Sequence, residues 1–233
     1  MINSQTSETK GTRVKPLTDL IDMQDPGWAV VETWLSEATN PYEILPKDPQ
    51  LAERALCQLQ VTTRSSMGAV VYETGGLLID GGWLRILGSG HSRLPRDPAA
   101  WTQSVAGMQA FGGLLIADDA SGGFFAINGG GLGEEVGNVY YFAPDSLAWE
   151  SLEVGYSAFV QWTLCGDLAL FYQTVRWPGW QDDVAALAGD KVFSFYPFLW
   201  TEPQMTAGQR SRTAVPVDEH WALCQELQQQ LAQ

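Results

Sequence analysis

Paired glycines constrain this chain most. They cut "MGAVVYETGGLLIDGGWLRILGSG" (67–90) and "GGLLIADDASGGFFAINGGG" (112–131) into apolar runs too short for ordinary helices. Runs of that length, bounded by residues that reach positive φ without steric cost, read as strands joined by tight reversals. The first block, together with "LLIAD", "GGFFAIN" and "NVYYFAPD", therefore predicts antiparallel strands in the middle of the chain.

The flanks carry a different period. Leu17, Leu20 and Ile21, then Trp28, Val31, Trp34 and Leu35, recur at helical spacing on either side of Asp25-Pro26. Asp48-Pro49 and Asp97-Pro98 each offer a capping carboxylate followed by a first-turn proline. Leu51, Ala55, Leu56 and Leu59 give the first of these helices its apolar stripe, and Ala99, Trp101, Val105 and Met108 the second. Helical spacing returns at Tyr156 and continues through Trp177–Leu187 to a last helix over Val217–Leu231. Helices, a strand block and helices again predict an α+β fold, a central antiparallel or mixed sheet with flanking helices. Residues 1–15 read as a polar tail and 16–233 as a single domain.

Charge narrows the function classes. Twenty-seven acidic residues against 13 basic ones give a net charge of −14, a field that repels nucleic-acid phosphates and anionic membranes. A basic protein is the natural complement. Cys57, Cys165 and Cys224 are isolated, which suggests neither a disulfide framework nor a zinc site. The polar first fifteen residues and the lack of a long apolar run make the cytoplasm the expected compartment.

"DDASGGFFAINGGG" (118–131) is the one stretch that resembles a ligand loop, and it fails each test. Gly129-x-Gly131 is followed by Glu134 where a dinucleotide loop needs its third glycine, and no lysine lies between Lys47 and Lys191 to complete a P-loop. Counted as a calcium loop from Asp118, positions three, five and twelve are Ala120, Gly122 and Gly129, which supply no side-chain oxygen. The stretch reads instead as a strand reversal at Gly122-Gly123, with Phe125 and Ile127 on one face of the returning strand. His91 in "SGHSRL" and His220 in "DEHWAL" stand in no recognised nucleophile context. No cofactor, metal or catalytic residue is assigned.

The acidic pairs Asp118/Asp119, Glu134/Glu135 and Asp182/Asp183 could line a partner-binding surface. Adjacent strand residues face opposite sides, so each pair is a poor acid and base couple in itself. In "RWPGWQDD", Trp177 and Trp180 flank a Pro-Gly turn beside Asp182 and Asp183, which makes them candidate aromatic anchors with an acidic rim.

Order and local pattern add a resemblance. Leu45-Pro46 precedes a predicted helix and Gly75-Gly76 precedes "LLIDGGWLRILG". Ile116, Ala117, Asp119, Gly122 and Phe125 then follow, before Val139-Tyr140 and "GYSAFVQWTL". Over residues 41–165 this resembles the SUKH superfamily of bacterial immunity proteins. The resemblance implies a SUKH-like core with a helical C-terminal extension, and a non-enzymatic protein-binding role that neutralises a basic toxin domain. The chain departs from that pattern at Gly123, at Asn128 and in the longer connection "GGGLGEEVG". A carboxylate-dependent hydrolase and a homo-oligomeric structural protein are the alternatives.

Overall fold

The structure, a computed structural model, describes residues 14–202 and 204–231. The expected N-terminal tail lies outside the described residues except for Val14 and Lys15. Two short helices, α1 (Leu17–Leu20) and α2 (Trp28–Ser36), open the fold, and the edge strand β1 (Tyr42–Pro46) follows. Gly27, not Asp25, is the residue ahead of α2, so Asp25-Pro26 sits in the connection. Helix α3 (Pro49–Leu59) begins as its sequence predicts, with the Asp48 carboxylate accepting from the backbone of Gln50 and Leu51.

Residues 66–73 correct the strand expectation. "SMGAVVYE" forms helix α4 (Ser66–Glu73), capped by the Ser65 hydroxyl, which accepts from Gly68 N. Met67 through Val71 are all buried, and five consecutive buried residues leave no polar face to display the helical period. Strands β2 (Thr74–Ile79) and β3 (Leu84–Leu87) follow, joined through a 3-10 turn at Asp80–Gly82. Helices α5 (Pro98–Val105) and α6 (Met108–Phe111) then lead to β4 (Gly113–Asp119), β5 (Phe124–Asn128), β6 (Asn138–Ala143) and β7 (Ala148–Gly155).

The strands make one seven-stranded sheet in the order β1-β2-β3-β4-β5-β6-β7, antiparallel at every pairing. The fold is α+β, and of the two sheet types expected it is the antiparallel one. A bulge between Leu115 and Ala117 re-aims β4, placing Ile116 and Ala117 together on one face of the core.

Both faces are covered. Leu77, Ile79, Ile86, Phe125 and Tyr141 pack against α2, α4 and helix α7 (Tyr156–Cys165). Helices α8 (Leu168–Phe171) and α9 (Trp180–Ala185) close the same side. On the other side Leu78, Leu87, Leu115, Phe124 and Phe142 meet Trp101 of α5 and Trp221 of helix α10 (Val217–Leu231). Phe125 and Ile127 share the first face, as their spacing requires.

The C-terminal third is not a purely helical extension. Strands β8 (Lys191–Tyr196) and β9 (Ser211–Pro216) form a separate antiparallel ribbon between α9 and α10. In "KVFSFY" Val192, Phe193 and Phe195 are buried and Tyr196 is exposed, a run too short to show a helical stripe. The ribbon docks on the sheet, with Phe193 N donating to Ala120 O at 2.8 Å. Among the described residues no helix is long and apolar enough to cross a membrane.

Candidate functional site

Asp118 and Asp119 close β4, and their side chains leave the strand on opposite faces. Asp118 Oδ1 accepts from Arg85 Nε at 3.0 Å, and Oδ2 meets Arg85 Nη2 at 2.9 Å and Arg96 Nη2 at 3.0 Å. Asp119 Oδ1 accepts from Ser121 N, Ser121 Oγ and Gly123 N at 2.9, 2.6 and 3.0 Å, while Oδ2 accepts from Tyr141 Oη at 2.8 Å. Burial pushes the Asp119 carboxyl above its ordinary range, and the Ser121, Gly123 and Tyr141 donors pull it back. Both aspartates have 0 % exposure. This corrects their expected place on a partner-binding surface, because all their oxygens are committed to interior donors.

The reversal itself is a docking node. Gly122 takes φ +89°, and a Cβ there would run into the His220 ring. Burial drives the His220 imidazole down to about 4, and its Nε2 lies 3.5 Å from Cys224 Sγ. The same burial raises the Cys224 thiol to about 12, the opposite of an activated nucleophile. Sequence "DDASGG" thus joins the sheet to the β8–β9 ribbon through Ala120 and to α10 through Gly122.

Glu134 and Glu135 are exposed, and a buried asparagine holds the loop that carries them. Asn128 Oδ1 accepts from Gly130 N at 2.7 Å and Leu132 N at 3.1 Å, and Nδ2 donates to Gly133 O at 2.9 Å and Glu135 O at 3.1 Å. The Tyr140 hydroxyl donates to the Glu135 carboxylate and holds it below its usual range. Val136 beside them is 67 % exposed, so the loop offers two carboxylates and an apolar side chain in a set conformation.

An aromatic cleft of about 460 Å³ borders the same loop. Leu132 of the loop, Phe111, Trp149 of β7 and Trp221, Gln225 and Gln228 of α10 contribute to its lining. Phe111 stands 5.6 Å from Trp149 and 5.5 Å from Trp221, centroid to centroid, and Gln225 Nε2 has no hydrogen-bond partner. Three distant segments supply these rings, so no local pattern announces the cleft.

The expected aromatic anchor lies elsewhere. Trp177 is 2 % exposed, packed on Trp83, Phe193 and Phe195 with centroids 5.6, 5.2 and 5.6 Å away. Its Nε1 donates to Asp183 at 2.7 Å, and Arg212 pairs with the same carboxylate at 2.8 Å. Trp177 and Arg212 together hold the Asp183 carboxyl below its usual range. Trp180 is half-buried, 5.0 Å from Trp83, with the Arg176 guanidinium 4.2 Å over its ring. Trp177 is therefore core, Asp183 is internally paired, and of this group Asp182 alone is exposed. Among the described residues no three His, Cys, Asp or Glu side chains gather as a metal-binding group.

Known proteins share this chain over nearly its whole length. It is 51 % identical to the uncharacterized protein YbfG of Escherichia coli (strain K12) over 222 residues, covering 94 % of this chain and 100 % of the relative. It is 41 % identical to an uncharacterized protein of Haemophilus influenzae over 211 residues, 89 % of this chain and 92 % of the relative. The model of the family described as "Protein of unknown function DUF2625" matches residues 17–220, from α1 through the ribbon into α10, and the chain belongs to that family.

Proposed function

We propose that this protein is a non-enzymatic binding module that takes a basic protein partner on the 129–137 loop and the aromatic cleft beside it. The observation that carries the reading is the four-bond clamp of Asn128, which orders the loop before any partner arrives. Preorganised side chains lose less conformational freedom on association. Glu134 and Glu135 supply charge complementarity, which speeds encounter and selects partners, and the rings of Phe111, Trp149 and Trp221 offer an apolar seat. A toxin-like basic domain is the partner class implied by the SUKH resemblance. Commitment of Asp118 and Asp119 to internal bonds favours binding over carboxylate hydrolysis.

Affinity capture from native lysate at low salt tests it. The wild-type chain is expected to retain a basic protein, and the Glu134→Lys, Glu135→Lys double variant to lose it. Equal retention by both, or no basic protein on either, overturns the reading.

A further inference from the structure

Loop 88–97, "GSGHSRLPRD", gathers positive charge in a strongly acidic molecule. Arg96 is the centre of the group. Its side chain is 7 % exposed, stacked 4.4 Å over the Trp101 ring. One nitrogen, Nη2, is fully used: it donates to Gly189 O at 2.7 Å and pairs with Asp118. The other two, Nε and Nη1, have no acceptor. Asp118 is shared with Arg85, so one carboxylate faces two guanidinium groups. A buried guanidinium with unfilled donors is an uncommon arrangement and calls for an acceptor.

Arg96 helps line a cleft of about 260 Å³, together with Arg54, Ser89, His91, Ser92 and Asp97. Arg54 is exposed and forms no salt bridge among the described residues. The backbone N–H of Arg93 donates to His91 Nδ1 at 3.1 Å, which leaves Nε2 to carry the ring hydrogen as a donor. The Ser92 hydroxyl is also exposed. Asp97, the acidic member, accepts from Ala100 N at 2.9 Å and so caps α5. Ser89 Oγ donates to Thr74 O and is already used.

From this we infer that the cleft is a binding site for a phosphate group. Arg54 from α3 and Arg96, the His91 imidazole N–H and the Ser92 hydroxyl from the 88–97 loop line one cleft, a donor set that suits a tetrahedral, dianionic acceptor better than a flat, singly charged carboxylate. The cleft holds a phosphate with little more than a small substituent, either the free ion or a short ester.

Calorimetric titration of the full chain at pH 7, at constant ionic strength in chloride, tests the assignment. Inorganic phosphate is expected to bind saturably at one site, with Arg54→Ala weakening it at least tenfold, about 1.4 kcal/mol. Arg96→Lys is expected to weaken it similarly; if that variant does not fold, Arg54→Ala combined with Ser92→Ala carries the test. Glycerol 3-phosphate separates the two sources: tighter binding than phosphate supports an ester ligand, and weaker binding supports the free ion. No saturable binding, binding indifferent to Arg54→Ala, or acetate bound as well as phosphate overturns the proposal.

Discussion

Asn128→Asp alters the hydrogen-bonding chemistry of one side chain and almost nothing of its shape. The side-chain oxygen that accepts from Gly130 N and Leu132 N survives, but the amide that donates to Gly133 O and Glu135 O becomes a second oxygen facing two carbonyls. Two neutral hydrogen bonds vanish at about 1 kcal/mol each, and a carboxylate is placed where the residue has 1 % exposure. Stronger bonds from Gly130 and Leu132 to the ionised oxygen return part of that cost, for a net loss of about 2–3 kcal/mol at neutral pH. Facing carbonyls, the new carboxyl titrates above its unfolded value of about 4. Its penalty is therefore full above the folded pKa and shrinks as acid restores one O–H donor. Urea unfolding of wild type and variant at neutral and mildly acidic pH measures the difference. Hydrogen exchange at residues 130–137 localises it. A neutral-pH loss below about 0.5 kcal/mol, or one that grows on acidification, refutes the clamp.

Two further outcomes follow from buried ionisable groups. Asp118→Asn removes the carboxylate that Arg85 and Arg96 share, and denaturant unfolding should report a loss of about 3–5 kcal/mol, the range for breaking a buried pair. An effect under about 1 kcal/mol would show that the guanidinium groups are otherwise compensated. His220 is neutral when folded, its pKa lowered by burial to about 4 from an ordinary imidazole value of about 6.5, so the unfolded chain binds the extra proton and stability falls as pH drops through that window. Its contribution to that fall is about 3 kcal/mol, and His220→Gln should flatten the stability profile of the chain between pH 6.5 and 4. An unchanged slope would place the lost stability in other groups.

Much of the fold was legible because local rules act over a few residues. Asp48-Pro49 and Asp97-Pro98 mark helix starts through a side-chain bond one turn away, and Gly122 marks a reversal through its positive φ. The final helix, Val217–Leu231, follows its stripe from first to last residue. Helix α4 escaped because five consecutive buried residues, Met67–Val71, erase its polar face, and β8–β9 escaped because β8 buries Val192, Phe193 and Phe195 without a strict alternation. The site was less legible. Glu134 and Glu135 are exposed as expected, since glycines around them leave no core to enter. Asp118 and Trp177 were misplaced because their partners, Arg85, Arg96 and Trp83, meet them only through folding across the sheet. No residue-type count distinguishes a carboxylate neutralised inside from one displayed outside.

Each strand of the large sheet lies beside its neighbours in sequence, from β1 to β7. Adding or removing residues in a connection therefore leaves the ladder's partners in place, whereas a crossover topology would have to re-thread its strands. The stretch 129–137 is such a connection, and it joins β5 to β6 with Asn128 as its inner fastening. Evolution can vary length and charge there while the scaffold persists, so divergence among members should concentrate on the surface that meets the outside world.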